Sequence, residues 1–260
     1  MEKPSKIKRL IHCLMALDRV DHSIQTETIP LPCPGLPTAF HGARIAVVAD
    51  VHLPDQLIPI PDLVACVKAA RPDAIFLPGD LTNSYTDFDA DGLRQLATAL
   101  AAIAPCFATA GNHEFRLERE PLYREILTAC GVHYLCGNYD AWHHKGDTLR
   151  LYGMGREKAN PPNAEGHPAI ALAHHPEYFP LYQEAGWDLV IAGHAHGGHV
   201  RWKRGALFSP DQGFFPKYTQ GVYEAGTTRM VVSRGLGNSS LPWRLNNHPH
   251  LPILVLCAKE

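Results

Sequence analysis

The chain has no apolar run near the roughly 18–20 residues that a bilayer-spanning helix requires. None of its seven cysteines forms a C-x-x-C pair, which removes a zinc knuckle and a thioredoxin-type redox site from consideration. Cys66, Cys106, Cys130 and Cys257 lie in apolar segments and read as small core residues, a usage that suits a reducing compartment. A formal charge of −2 gives no support for bulk electrostatic binding to nucleic acid. Internal repeats and low-complexity tracts are absent as well. Aromatic residues are sparse beside one other ring: nine tyrosines and nine phenylalanines stand against sixteen histidines. That balance points to metal chemistry without locating it. The length of 260 residues, 45% hydrophobic and 19% charged, suits one large globular domain.

Residues 1–43 read as an N-terminal amphipathic helix and a proline-rich connector, and residues 44–260 as the main domain. Between Lys3 and Val20, basic Lys3, Lys6, Lys8 and Arg9 accompany apolar Leu10, Ile11, Leu14, Met15 and Leu17. The apolar part is too short for a signal peptide and no small-residue cleavage site follows. The expected location is therefore cytoplasmic. Such a helix either lies on an anionic membrane as a peripheral contact or packs on the domain's own surface. Pro30, Pro32, Pro34 and Pro37 mark 28–37 as an extended connector.

Three apolar runs follow, at 44–49, 74–77 and 106–110, separated by helical patterns at 61–70 and 93–103. Strands alternating with helices predict a parallel sheet, with ligands bound at the carboxyl ends of its strands. Beyond a helix at 121–130, short strands are expected around 149–152, 170–173, 188–192, 199–202, 222–224, 230–233 and 251–257. These predict a second, largely antiparallel sheet packed on the first. Segments 160–168 and 209–218 are expected as surface loops near the site.

Each of the first three strands ends in polar chemistry: Asp50-Val51-His52, Gly79-Asp80 and Gly111-Asn112-His113-Glu114. The strand at 170–173 runs into His174-His175-Pro176, and that at 188–192 into Gly193-His194-Ala195-His196-Gly197-Gly198-His199. Alone, the last motif is either a set of nitrogen ligands on a flexible turn or an exposed polar turn with incidental histidines. Together, Asp50, His52, Asp80, Asn112, His113, His174, His194 and His196 form a mixed oxygen and nitrogen set. Such a set suits Mn, Fe, Zn or Co better than Ca²⁺. It is too large for one ion, and two ions about 3.5–4 Å apart sharing a carboxylate would use it.

In this order and context the five motifs resemble those of calcineurin-like metallophosphoesterases, over residues from about Arg44 to the C-terminus. The resemblance implies a four-layer α/β fold, a two-sheet β-sandwich flanked by helices. It also implies hydrolysis of phosphodiester bonds through a hydroxide bridging two transition-metal ions, Mn first, with Fe or Zn as alternatives. One ion would be held by Asp50, His52, Asp80 and His196, the other by Asp80, Asn112, His174 and His194. His113 would bind no metal and would act on the phosphoryl group, with Asn112 beside it at the substrate; His199, outside the family pattern, is expected to touch either substrate or a metal.

The stretches at 193–200, 232–237 and 241–244 look like one bacterial branch of membrane-associated phosphodiesterases, which includes a UDP-2,3-diacylglucosamine pyrophosphatase. That branch offers an alternative reading, a lipid-linked sugar nucleotide pyrophosphatase. Its apolar groove would come from Trp202, Phe208, Phe214, Phe215 and Trp243. A non-catalytic metal-binding scaffold is the third reading, disfavoured because every motif position is filled. The chain departs from the branch in having His199 for a glutamine and Glu114 for an aspartate, and in lacking a membrane-spanning or twin-arginine N-terminal segment. His175 is expected to face away from the ligand cluster. His133, His143, His144, His248 and His250 read as surface or loop residues, and Arg234 and Asn238 as either phosphate contacts or structural groups.

Overall fold

The computed structural model describes residues 23–156, 161–202, 205–209, 212–238 and 244–259. The N-terminal helix expected between Lys3 and Val20 lies outside them. In chain order the regular elements are β1 (Gln25–Pro34), β2 (Arg44–Val47), α1 (Ile60–Ala69), β3 (Ala74–Leu77), α2 (Ala90–Ala101) and β4 (Cys106–Ala108). Next come α3 (Asn112–Phe115), α4 (Glu120–Ala129), β5 (His133–Tyr134), β6 (Tyr139–His144), β7 (Asp147–Gly153) and β8 (Ile170–Leu172). The last are α5 (Phe179–Glu184), β9 (Leu189–Ala192), β10 (Val200–Trp202), β11 (Gly205–Ser209), β12 (Gly213–Phe214), β13 (Gly221–Ala225), β14 (Thr228–Val232) and β15 (His250–Lys259).

The first sheet has the order β1-β15-β2-β3-β4-β5 and the second β13-β14-β9-β8-β7-β6. Side-chain alternation along each strand builds the layers. Ile45, Val47, Phe76 and Phe107 point between the sheets, where they meet Trp142, Leu151, Leu172, Ile191 and Val231. Their neighbours Ala46, Ile75 and Leu77 point the other way, onto Leu63 and Val67 of α1 and Leu93, Leu96 and Leu100 of α2. On the outer face of the second sheet, Ala171, Val190, Met230 and Val232 pack under Phe179 and Tyr182 of α5 and under Trp187. The result is the expected four-layer α/β sandwich. Asp89 caps α2 by accepting the Gly92 N–H at 2.9 Å, which starts that helix three residues ahead of the apolar pattern.

Three expectations are corrected. The second sheet is mainly parallel: β14, β9, β8 and β7 run the same way, and only the edge hairpins β13–β14 and β6–β7 are antiparallel. Its inner strands are buried on both faces, as parallel strands require, so they carry no alternation to read. The connector at 28–37 contributes to β1, an edge strand parallel to β15. Ile29, Leu31 and Cys33 face inward while Pro30, Pro32 and Pro34 face outward, so the missing proline N–H groups fall on the unpaired side. Residues 209–218 also contain more than loop, since β12 joins β10 and β11 in a small third sheet. The six described cysteines are free.

Candidate metal centre

Strands β2, β3 and β4 of the first sheet are mutually parallel, as are β8 and β9 of the second. Their carboxyl ends deliver Asp50 and His52, Asp80, Asn112 and His113, then His174, and finally His194 and His196 to one place. Leaving the strand there costs backbone strain. Asp50 (φ 53°), His52 (58°), Asp80 (53°), His194 (70°), His196 (47°) and His199 (39°) all adopt left-handed conformations. Each such residue costs on the order of 1–3 kcal/mol, and clusters of them occur where surrounding structure holds a functional geometry. Gly111 is required by close approach, because a Cβ there would lie 2.2 Å from Asp80 Oδ1. Gly235 (φ 72°) is fixed in the same way, 2.6 Å from Asp50 Cβ.

The donors fall into two groups, Asp50–His52–His196 and Asp80–His174–His194, each with candidate ligand atoms within 4.8 Å of one another. In the first, His52 Nε2 and His196 Nε2 approach to 3.0 Å and Asp50 Oδ1 lies 4.0 Å from His196 Nε2. In the second, His174 Nε2 is 3.0 Å from Asp80 Oδ2, 3.2 Å from Asn112 Oδ1 and 3.2 Å from His194 Nδ1. Asp80 also groups with His52 and His113, which places it between the two sets. All these carboxylates and imidazoles are buried.

Electrostatics mark the same spot. Burial pushes the Asp50 carboxyl up to about 6, against the pull of His174. Burial works on Asp80 too, but the charge and hydrogen bond of His174 outweigh it and hold Asp80 well below the usual range. His174 is raised to about 10, burial being overcome by Asp80 and Asp50. Burial drives His52 and His196 far down, so both rings are neutral and keep a lone pair. Two carboxylates and several imidazoles in a dry space favour positive charge there, and the donor set fits transition-metal ions.

The surrounding groups fix which nitrogen does what. His174 Nδ1–H donates to Pro78 O at 2.9 Å, which aims Nε2 inward. His113 is set the opposite way: the Ser84 N–H donates to its Nδ1 at 2.9 Å, so the ring's proton sits on Nε2, 3.9 Å from Asp80 Oδ2. Glu114, fully buried, ties two site loops together. Its Oε2 accepts the Asp80 and Gly111 N–H groups at 2.9 and 2.8 Å, and Oε1 accepts the Thr82 N–H and hydroxyl at 3.0 and 2.9 Å. Burial and the charge of Asp80 raise its carboxyl to about 7, against these donors.

Arg244, also buried, was not singled out from the sequence. It donates from Nη1 to Arg234 O (2.9 Å), from Nε to Asn238 Oδ1 (3.3 Å), and from Nη2 to Gly237 O and His196 Nδ1. Burial lowers its guanidinium to about 10. The only signal for it was its place at the end of the 241–244 motif; Ser84 had none.

Other residues resolve individually. His199 is buried with its ring stacked on His196 (5.3 Å, 12°), and neither of its nitrogens has a hydrogen-bond partner among the described residues. His175 bonds Glu177 Oε1 at 2.8 Å and shares a fourth group with Glu177 and His194, so it is nearer the cluster than expected. Arg234 and Asn238 are structural: Arg234 holds Gln220 and Gln25, and Asn238 holds Arg244. His250 is buried on β15 against Glu27, not at the surface. Of the proposed groove, Phe214 and Phe215 are each 78% exposed and Phe208 is half-buried. Trp243 and the side chain of Trp202 lie outside the described residues.

The sequence model of the family described as "Calcineurin-like phosphoesterase" matches residues 43–198. The chain belongs to that family. It is accordingly a metal-dependent phosphoester hydrolase, and the two donor groups are this member's candidate metal-binding clusters. Similar chains include "Phosphodiesterase YaeI" of Escherichia coli, 30% identical over 82% of each chain. Another is "Uncharacterized metallophosphoesterase YkuE" of Bacillus subtilis, 25% identical over 90% of this chain and 86% of that one. Among the described residues no helix is long and apolar enough to cross a membrane.

Proposed function

We propose that this calcineurin-like phosphoesterase is a dinuclear phosphodiesterase. Asp50, His52, Asp80 and His196 would hold one ion and Asp80, Asn112, His174 and His194 the other, with Mn²⁺ the first choice and Fe or Zn the alternatives. The ions would supply Lewis acidity to water and to the phosphoryl oxygens. Ligation through His196 Nε2 needs that ring's proton on Nδ1, with Arg244 Nη2 retaining Gly237 O as its acceptor.

The observation that carries the reading is that Asp80, grouped with His174 and His194 and also with His52 and His113, lies between the two donor groups, beside a His113 whose Nε2 bears the proton. Hydrolysis forms one P–O bond to water and breaks one P–O bond to the leaving alcohol. His113 Nε2–H is the donor available to the leaving oxygen: Nδ1 accepts the Ser84 N–H and burial lowers this imidazole's basicity, so the neutral ring serves as a hydrogen-bond donor to the charge that develops there. The diester preference rests on the phosphodiesterase name of the relative at 30% identity and on the branch resemblance.

Purified protein should contain close to two transition-metal ions and cleave bis(p-nitrophenyl) phosphate with Mn²⁺, losing that activity in EDTA. His113→Ala should keep its metal and lose about 10²–10⁴-fold in turnover. Metal content of one ion or none would sink the dinuclear reading. Faster cleavage of p-nitrophenyl phosphate would sink the diester preference.

A further inference from the structure

To ligate an ion in the second donor group, His194 must present one ring nitrogen and keep its proton on the other. Its Nδ1 faces that group, 3.2 Å from His174 Nε2. A neutral imidazole that ligates through Nδ1 carries its proton on Nε2, and a buried N–H needs an acceptor. His174 meets the same requirement with the Pro78 carbonyl. For His194 the acceptor at hand is Glu177, a residue that the proposed chemistry does not use. Glu177, His175 and His194 each place one ligand atom within 4.8 Å of the others.

The carboxylate is held in place for such a contact. Pro176 opens one short helical turn, Pro176–Tyr178, directly after His174 and His175, and Glu177 sits in its middle. Tyr182 of α5, itself buried, pins the start of this turn by donating its hydroxyl to His175 O at 2.9 Å. The His175 ring packs against both neighbouring imidazoles, its centroid 5.1 Å from that of His174 and 4.3 Å from that of His194. Its Nδ1–H donates to Glu177 Oε1 at 2.8 Å, which fixes the carboxylate and occupies one oxygen. The other, Oε2, is buried with no hydrogen-bond partner among the described residues. A buried acceptor left that way costs free energy until a donor reaches it. Burial raises this carboxyl, but the His175 hydrogen bond outweighs it and holds the group below the usual range, so it is ionised.

We propose that Glu177 is a positioning residue for the second metal site: its Oε2 accepts the His194 Nε2–H and so holds that ring with Nδ1 toward the ion. His175 in turn holds Glu177, and thereby serves the cluster without ligating it. A carboxylate behind a ligating imidazole fixes its tautomer and makes it a stronger electron donor. The first donor group lacks such support among the described residues. There His52 Nδ1 has no partner, and His196 Nδ1 meets the Arg244 guanidinium. Loss of Glu177 should therefore weaken one ion and spare the other. This rests on the dinuclear reading above, and the two can fail separately.

The test titrates chelator-stripped protein with Zn²⁺ by calorimetry, in the parent and in Glu177→Gln, which keeps the side chain's size and removes its charge. The parent should take up two ions. In the variant one of them should bind about 10–100-fold more weakly, with the other within about threefold of the parent. In parent protein carrying ¹⁵N-histidine and loaded with ¹¹³Cd²⁺, nuclear magnetic resonance should show His194 coupled to cadmium through Nδ1. Its Nε2 proton should be protected from solvent exchange. In Glu177→Gln that protection should fall while the His174 Nδ1–H stays protected. A role confined to folding would lower the urea midpoint and leave affinities and exchange unchanged. That result, or equal weakening of both ions, overturns the proposal. So does coordination of His194 through Nε2 in the parent, a measurement that needs no variant to fold. Uptake of fewer than two ions by the parent overturns the dinuclear reading instead.

Discussion

Replacing Glu114 with glutamine keeps the side chain's shape and changes only its hydrogen-bonding character, which makes the cost calculable. The carboxylate accepts three backbone N–H groups and one hydroxyl, two on each oxygen. A glutamine has one oxygen and one NH₂. Its better orientation keeps the oxygen on the Asp80 and Gly111 N–H groups and turns the NH₂ toward Thr82, whose hydroxyl can rotate to accept. The Thr82 N–H is then buried without a partner, at about 1–3 kcal/mol, and the surviving bonds lose their charge assistance. The sum is on the order of 2–4 kcal/mol. Urea unfolding in the presence of a chelator would measure it free of metal linkage, as a lower midpoint at unchanged m. Because the bonds being lost hold the Asp80 loop to the Gly111 loop, metal content should fall as well. A variant within about 0.5 kcal/mol of the parent that keeps full metal content would refute the reasoning.

Mn²⁺ should raise the Tm of the metal-free parent and leave that of Asp80→Asn unmoved, as scanning calorimetry would show, since Asp80 groups with His174 and His194 and also with His52 of the other donor group, and the proposed ligand sets share it. Burial, then Arg234, Arg244 and Arg201, depress His250 to about 3, against an unfolded value of about 6.5. The ring therefore stays neutral in the fold while the unfolded chain takes up a proton. Its contribution is complete above about pH 6.5 and declines as pH falls toward 3, by at most about 1.4 kcal/mol per pH unit. Glu27, 2.9 Å away and half-exposed, opposes the depression and makes that figure an upper bound. Chemical denaturation at pH 7 and pH 5 should show a shallower loss in His250→Gln than in the parent; equal losses would contradict the assignment. Phe40→Ala removes a fully buried ring set edge-on against Trp142 at 4.8 Å, and should cost about 3–5 kcal/mol in urea unfolding.

Much of the site was legible because its chemistry sits where local pattern changes abruptly. Asp50, Asp80 and Asn112 each follow an apolar strand by only a few residues, and polar side chains there have no structural reason to recur three times. What stayed hidden depends on contacts far apart in sequence. Nothing near Arg244 announces that its guanidinium will reach His196, 48 residues away. His250 reads as a loop histidine until β15 is seen to carry it beside Glu27, 223 residues away in sequence. The direction of the second sheet was misread for a related reason. Short, wholly buried runs such as Leu189–Ala192 look alike whether their neighbours are parallel or antiparallel. Alternate prolines in β1 suggest a linker unless one asks which side of the strand they occupy.

The position of β15 bears on how such a chain is made. Its residues, 250–259, lie between β1 and β2, so β1 has no neighbour in its sheet until they arrive. During synthesis from the amino end, β2, β3 and β4 can associate early, with the Asp50, Asp80 and Asn112 turns already present. The strand that flanks β2 is still missing at that stage, and β2 presents an open edge to other nascent chains. Final closure of this sheet waits for residues 250–259, and a ribosome stalled before residue 250 would hold a protein bearing every metal-site residue on an incomplete sheet.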